Sequence, residues 1–243
     1  MKLFHGFYSD VGNFRSVNQD SVLCRRFDKK KNSFIVIAVC DGIGGLEQGE
    51  VASRIICDHL NQTFDEIINW IDIDTADADI IFSHFKDAVE DANQALFNYR
   101  IQHGIRMGTT MSLLIVIRDL YYIIQVGDSR VYLLQNNFLR QLTVDASVST
   151  MVDGKMKTYL DNLMGKDSEV WYSNAEGTIQ PNDLLFVCCD GFYHKLSVED
   201  VLFDKKYINS SDKINDKCVE LTKLMMSRGE KDNISVGMVY AKA

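Results

Sequence analysis

The chain has 243 residues, a length that favours one large domain over two. Hydrophobic residues make up 46% and charged residues 25%, so a core can form without outside staples, and a formal charge of −8 argues against a nucleic-acid-binding surface. Six cysteines show no C-x-x-C spacing, no apolar stretch approaches the roughly 18 residues of a membrane span, and MKLFHGFYSD is too weakly apolar for a secretory signal. A reduced, cytoplasmic protein without membrane segments is predicted.

In chain order, Ser21–Arg25 is the first strand candidate, and Lys29-Lys30-Lys31 reads as a solvated turn before the next run. That run, Phe34 to Cys40 (FIVIAVC), stops at Asp41-Gly42. Helical periodicity follows from Glu50 to about Phe64, with Val51, Ile55, His59 and Leu60 on one side. A second helix is predicted from about Asp79 to Ile101, where Ile81, Phe85, Ala88, Ala92, Leu96 and Tyr99 recur at three- and four-residue steps. Thr110–Ile117, Tyr121–Val126 and Val131–Leu134 read as strands, the second ending at Gly127-Asp128. Residues Ser147 to Asn162 are polar and irregular, and are predicted to form a mobile flap, around 147–163. Leu184 to Cys189 (LLFVCC) is a further strand, ending at Asp190-Gly191. Ser197-Val198-Glu199-Asp200 resembles a capping box with Asp in the Glu place. Asp212 to Arg228 repeats Ile214, Cys218, Leu221 and Met225 on a helix that Gly229 stops, and Ile234–Tyr240 is the last strand.

Continuous apolarity in these short runs suggests strands covered on both faces. The order lacks steady strand–helix alternation, so a layered α+β protein with antiparallel sheets fits better than a doubly wound sheet.

Acids at strand ends are the chemical signal. Asp41, Asp128 and Asp190 each follow a buried run beside a glycine, Asp232 precedes a strand, and so does Asp20. Like charges at one rim repel, and desolvation penalises each. Hard divalent cations remove that penalty, and Mg²⁺ or Mn²⁺ suits carboxylate and carbonyl oxygens with water completing the shell. The five histidines show no zinc-type spacing, and G-x-S-x-G, the P-loop and G-x-G-x-x-G are missing.

These residues match, in order, the motifs of the metal-dependent protein phosphatases of the PPM (type 2C) family. Asp10-Val11-Gly12-Asn13-Phe14-Arg15-Ser16-Val17-Asn18-Gln19-Asp20 resembles the family's opening, and Asp41-Gly42-Ile43-Gly44-Gly45 with Gly49-Glu50-Val51-Ala52-Ser53 its second motif. Gly108-Thr109-Thr110, Gly127-Asp128-Ser129-Arg130, Leu142-Thr143-Val144-Asp145, Cys189-Asp190-Gly191 and Asp232-Asn233-Ile234-Ser235 follow. The resemblance implies a four-layer αββα sandwich, two antiparallel sheets flanked by helix pairs, forming a single catalytic domain over residues 1–243. It implies that Asp41, Asp190 and Asp232 hold two central metals, Mn²⁺ or Mg²⁺, helped by the Gly42 carbonyl and, through water, by Asp20. Asp128 with Asp190 would serve a third ion, and Arg15 would grip the substrate phosphate as a bidentate fork.

The resemblance further implies phosphoserine or phosphothreonine hydrolysis by a two-metal-activated water, in a monomer that acts on phosphoprotein substrates against a cognate Ser/Thr kinase. Two other readings stay open, a catalytically inactive relative that binds partners and a hydrolase of small phosphate esters. Departures from the family pattern include Ile43 where many eukaryotic relatives carry His, no His after Asp145, a short flap, and His194 where Asp is common. Arg130 is expected to support Asp128 by an ion pair, Asp10 to hold the opening loop, and His194 to be a solvated loop residue.

Overall fold

The computed structural model describes residues 1–43, 48–152, 155–204 and 207–243. Three strands come first, β1 (Lys2–Asp10), β2 (Asp20–Lys29) and β3 (Asn32–Asp41), followed by helices α1 (Gly49–Trp70) and α2 (Ala78–His103). Then come β4 (Met111–Ile117), β5 (Leu120–Val126), β6 (Arg130–Gln135), β7 (Phe138–Gln141), β8 (Ser147–Val152), β9 (Lys155–Leu160), β10 (Ser173–Thr178) and β11 (Leu184–Cys188). Helices α3 (Asp190–Tyr193), α4 (Val198–Val201) and α5 (Ser211–Ser227) precede the last strand, β12 (Ile234–Lys242).

Two five-stranded sheets form, one ordered β1-β12-β11-β6-β7 and the other β10-β5-β4-β3-β2, with antiparallel pairing throughout. The unbroken apolarity of β3 follows from its place in the middle of four layers. Ile35, Ile37 and Val39 turn towards the first sheet, while Phe34, Val36, Ala38 and Cys40 turn towards α1 and α2. The sheets approach so closely at Gly237 that a Cβ there would lie 2.4 Å from Ile37 Cγ2. On the helical side Phe34 stacks on Phe64 at 5.0 Å between ring centroids and meets Phe85 edge-on at 6.3 Å; such pairs contribute about 0.5–1.5 kcal/mol each beyond area burial. On the opposite side α5 lies on β1 and β12, where Gly6 lets the α5 backbone come within 2.6 Å of a would-be Cβ. Flanking is therefore unequal, a long helix pair on one face and α5 with the single-turn α3 and α4 on the other.

The buried face of α1 is Ala52, Ser53, Ile56, Cys57, Leu60, Phe64 and Ile67. That is one residue off the predicted stripe, because Val51, Ile55 and His59 are only half-buried. Periodicity in α2 and α5 places the core residues as expected. The capping box of Ser197 and Asp200 is formed in full, and Gly229 follows α5 at φ +80°. The stretch predicted as an irregular flap carries regular structure at 147–152 and 155–160. Described residues there form the β8–β9 hairpin, with Val148 opposite Tyr159 and Met151 opposite Met156. Apolar residues at those ladder positions support pairing that polar neighbours disguise in the sequence. Among the described residues no helix is long and apolar enough to cross a membrane.

Candidate metal centre

Strand direction gathers the predicted acids. In the second sheet β3 and β5 run the same way, so Asp41 at the end of β3 and Asp128 just after β5 emerge on one rim. The antiparallel β2 begins there, and its first residue, Asp20, is the direct cross-strand partner of Asp41. In the first sheet β11 ends and β12 begins at the corresponding rim, bringing Asp190 and Asp232 to the same end. Carboxylates directly opposite on neighbouring strands destabilise a bare sheet.

Electrostatics report that conflict. Burial, reinforced by the charges of Asp190 and Asp232, pushes the Asp20 carboxyl up to about 7. Ser235 and Cys189 lie near enough to ease the shift, but Ser235 is hydrogen-bonded to Ser9 and Cys189 donates to the Asn233 carbonyl, so neither Asp20 oxygen has a partner in hydrogen-bond geometry. Asp41 is held well above the usual carboxylate range, first by burial and then by Asp20, Asp190, Asp232 and Asp128. Burial also raises Asp190, with His194 opposing and Asp232 adding to the shift, and one Asp190 oxygen is buried without a donor. Asp128 is pushed up to about 6 by burial and then by Asp190 and Asp145.

A polar framework fixes these positions. The Thr110 hydroxyl lies 3.1 Å from the Asp41 amide that donates to it, and 2.8 Å from the Ser129 hydroxyl. Ser112 donates to the Ser129 carbonyl at 2.8 Å, and Gln125 Nε2 donates to the carbonyls of Gly127 and Ser129 at 2.9 and 2.6 Å. The turn carrying Asp128 is thereby tied to the strand end carrying Asp41. Asn233 does the same for the opening loop: its side chain donates to the carbonyls of Val11 and Val17 and accepts from the Gln19 amide. Asp10 accepts from the Gly12 amide and from Tyr8, so it holds the loop as expected. No role for Ser129, Gln125 or Asn233 follows from the sequence alone; Gln125 interrupts the apolar run of β5, and Ser129 and Asn233 each stand between an acid and the start of a strand.

Gly42 is required by crowding. A Cβ there would lie 2.2 Å from the Gly49 carbonyl oxygen and 2.6 Å from that of Gln19. Gly44 and Gly45 of the same predicted motif lie outside the described residues.

Two arginines are placed differently from expectation or beyond it. Arg15 forms a two-point ion pair with Asp232, Nε to Oδ1 at 2.9 Å and Nη2 to Oδ2 at 2.7 Å, so the expected phosphate grip and an expected metal ligand face one another. Arg130 does not pair with Asp128. It pairs with Asp145, Nη2 to Oδ2 at 2.7 Å, and its guanidinium lies 3.7 Å from the Tyr193 ring centroid. The side chain leaves the start of β6 towards the loop after β7, which itself lies beside the turn carrying Asp128. His194 is exposed at the end of α3, as expected.

Orphaned, buried carboxylate oxygens are what a hard cation satisfies, and the donor set is all oxygen, so these residues fit Mn²⁺ or Mg²⁺. Among the described residues no three His, Cys, Asp or Glu side chains stand close enough together to form a ready cation cage.

The chain matches the protein phosphatase 2C family model over residues 15–232. It is similar to the serine/threonine phosphatase stp of Listeria welshimeri, 31% identical over 252 residues covering 96% of this chain and 94% of that one. It is also similar to the protein phosphatase PhpP of Streptococcus pneumoniae, 25% identical over 244 residues, with 95% and 94% covered. The solved structure of serine/threonine phosphatase Stp1 from Staphylococcus aureus superposes with a TM-score of 0.79 at 22% identity, covering 100% of this chain and 98% of that one. The catalytic domain of serine threonine protein phosphatase PstP, in complex with two manganese ions, gives 0.75 at 23% identity, with 99% of each chain covered. At such identities the solved structures bear on the fold.

Proposed function

The chain belongs to the protein phosphatase 2C family, and from that premise we propose that it is a metal-dependent phosphatase of phosphoserine and phosphothreonine in proteins. One observation carries the reading: Asp20, Asp41, Asp128 and Asp190, delivered by separate strand ends, share a buried rim where their charges oppose one another and oxygens lack donors. Asp41, Asp190 and Asp232 would hold two central ions with the Gly42 carbonyl and, through water, Asp20, while Asp128 with Asp190 would serve a third. Mn²⁺ or Mg²⁺ bound there supplies charge neutralisation and a water acidic enough to attack phosphorus near neutral pH.

The rest is positioning by the chain. Asp232 is presented by the turn before β12 and Asp190 by the first turn of α3, so the two stand side by side at the rim of the first sheet. The planar fork of Arg15 that now holds Asp232 suits two phosphoryl oxygens equally well. Substrate would take the guanidinium over while Asp232 turns to a cation. Cys188 and Cys189, the nearest thiols in sequence to Asp190, are fully buried with burial pushing both thiols up, so neither is a nucleophile and no phosphoenzyme is required. Ile43 leaves no side-chain acid at its position, so the departing Ser or Thr oxygen would take its proton from water.

Residues 1–243 are read as one catalytic domain bearing a short flap. The substrates would be phosphoproteins made by a Ser/Thr kinase in the cytoplasm, which a monomer of this fold can serve. The inactive-relative reading needs a lost carboxylate, and every expected one is present. Hydrolysis of p-nitrophenyl phosphate in Mn²⁺, in Mg²⁺ and in EDTA, beside Asp190→Ala, tests the proposal. Turnover should need the cation and vanish in the variant; folded protein inert in saturating Mn²⁺ overturns it. Faster turnover of a phosphoserine peptide than of small phosphomonoesters separates protein substrates from small esters.

A further inference from the structure

At the pole opposite the carboxylates lies a cavity of about 760 Å³, formed where the β2–β3 and β4–β5 hairpins end beside the start of β1. The ten residues of β3, rising about 3.3 Å each, put it roughly 30 Å from Asp41. In a chain of net charge −8 its lining is cationic: Lys2, Arg26, Lys30, Lys31 and Arg118, against the carboxylates of Asp28 and Asp119.

These cations are of two kinds. Arg26 is a fixed donor, held by the Leu3 carbonyl at 2.7 Å, the Ser33 hydroxyl at 3.1 Å and the Asp28 carboxylate. Lys30 is shared with Asp74. Lys2, Lys31 and Arg118 have no carboxylate partner among the described residues; Lys2 lies over the Phe4 ring, and Arg118 donates to the Ala76 carbonyl at 3.0 Å. Positive charge therefore remains after internal pairing.

Turn chemistry supports a selected charge. Left-handed backbone favours Gly or Asn; among the described residues the other non-glycine positions of this kind are Asn136, Asn137 and Asn182 in turns and Gln48 before α1. The two hairpin tips at this pole are also left-handed, with φ 50° at Lys30 and 58° at Arg118, yet both carry long cations. Backbone strain kept at a cavity rim points towards a ligand.

We infer that this cavity is a binding site for a small polyphosphate anion, of the class of inorganic pyrophosphate and nucleoside diphosphates. Its volume lies in the range of small-molecule sites of about 300–1,000 Å³, which favours a compact ligand over a protein surface. The guanidinium of Arg118 supplies directional donors, Arg26 a fixed positive charge already held in place, and Lys31 and Lys2 mobile point charges. The inference stands apart from the metal centre and does not depend on its chemistry.

The test is a titration of the full, Mg²⁺-loaded chain with ADP, followed through the backbone ¹H–¹⁵N resonances of residues 30–33 and 118–119, so that binding at the distant carboxylates is told apart. Inorganic pyrophosphate and adenosine are titrated in parallel. The double variant Lys31→Ala/Arg118→Asn removes two cations while placing Asn on left-handed backbone, and its melting curve confirms folding. ADP and pyrophosphate should shift these resonances saturably and adenosine should not, with the variant's Kd raised at least tenfold. Absence of shifts at about 10 mM ADP, equal shifts with adenosine, or an unchanged Kd in the folded variant would overturn the inference.

Discussion

Arg15 and Asp232 lock together through two parallel hydrogen bonds, 2.9 and 2.7 Å, across 217 residues of chain. Both side chains keep more than a third of their surface in water, so the pair contributes at most about 1 kcal/mol to stability. Its importance lies in competition, because Asp232 cannot serve Arg15 and a cation equally.

Arg15→Ala therefore has two expected effects. It removes charge-assisted contacts to phosphate worth about 1.5–3 kcal/mol, so kcat/KM on p-nitrophenyl phosphate falls roughly 10- to 100-fold. It also frees Asp232, so calorimetry should show Mn²⁺ binding unchanged or tighter. Arg15→Lys should restore little, because an ammonium cannot reproduce the fork. Weaker Mn²⁺ binding in Arg15→Ala would show that the guanidinium organises the cation ligands instead.

Metal-free protein should lose stability as pH rises. A carboxyl raised in the folded state binds its proton there over a range where the unfolded chain has lost it, so unfolding becomes easier with increasing pH. For Asp20 the window runs from the ordinary 3.8 to about 7, and for Asp128 from 3.8 to about 6. Asp41 and Asp190 act in the same direction. The combined loss is on the order of a few kcal/mol. Melting temperatures in EDTA should fall between about pH 4 and 7, and saturating Mn²⁺ should flatten them; a rise with pH in EDTA would contradict the assignment.

Asp20→Asn should separate stability from activity. It removes a buried charge that lacks a partner and lies opposite Asp41, so at pH 8 in EDTA the variant should melt higher than the parent. Metal-dependent turnover should fall more than tenfold. A lower melting temperature would mean that the Asp20 charge is satisfied in solution.

What could be read ahead of the structure follows burial. Strands covered on both faces, such as β3, β5 and β11, announce themselves as apolar runs, and Asp41, Asp128 and Asp190 stand out because an acid ends each run. Strand β10, SNAEGT, carries no such signal; it is an edge strand whose backbone pairing with β5 holds it in place. Strand β1 was hidden because its burial follows neither an apolar run nor a clean alternation, and β8–β9 by polar composition. Asp20 was legible as an acid before a strand, but not as the partner of Asp41, because register depends on turn length and cross-strand packing. The pairing of Arg130 with Asp145 escaped for a similar reason: both belong to motifs, and nothing local says which carboxylate a long side chain will reach.

Gly42→Ala should be severely destabilising, although alanine is the smallest change available. The new Cβ would stand 2.2 Å from one backbone oxygen and 2.6 Å from another, and neither the start of α1 nor the opening loop can yield without moving Asp20 or Asp41. A loss of about 2–4 kcal/mol in denaturant unfolding is expected. Gly104→Ala is the contrast. Open space surrounds that position, and only its φ of +63° opposes a side chain. A loss near 1 kcal/mol should leave turnover untouched.

Asp145→Asn probes how the rim is connected to the β8–β9 hairpin. Asp145 accepts from Arg130 and from Gln141, and the next residue, Ala146, donates to the Gly127 carbonyl at 2.9 Å, beside Asp128. The Arg130–Asp145 pair is about three-quarters shielded, and Arg130 lies against Tyr193, whose hydroxyl donates to the Asp128 carbonyl at 3.2 Å. Neutralising Asp145 leaves a largely buried guanidinium without its counter-charge, expected to cost about 2–4 kcal/mol. It also removes one of the charges that raise Asp128, so Asp128 should ionise at lower pH. If this loop positions the third-ion carboxylate, Asp145→Asn should change the Mn²⁺ concentration needed for half-maximal turnover more than it changes the limiting rate. A stability loss with an unaltered Mn²⁺ requirement would confine Asp145 to scaffolding.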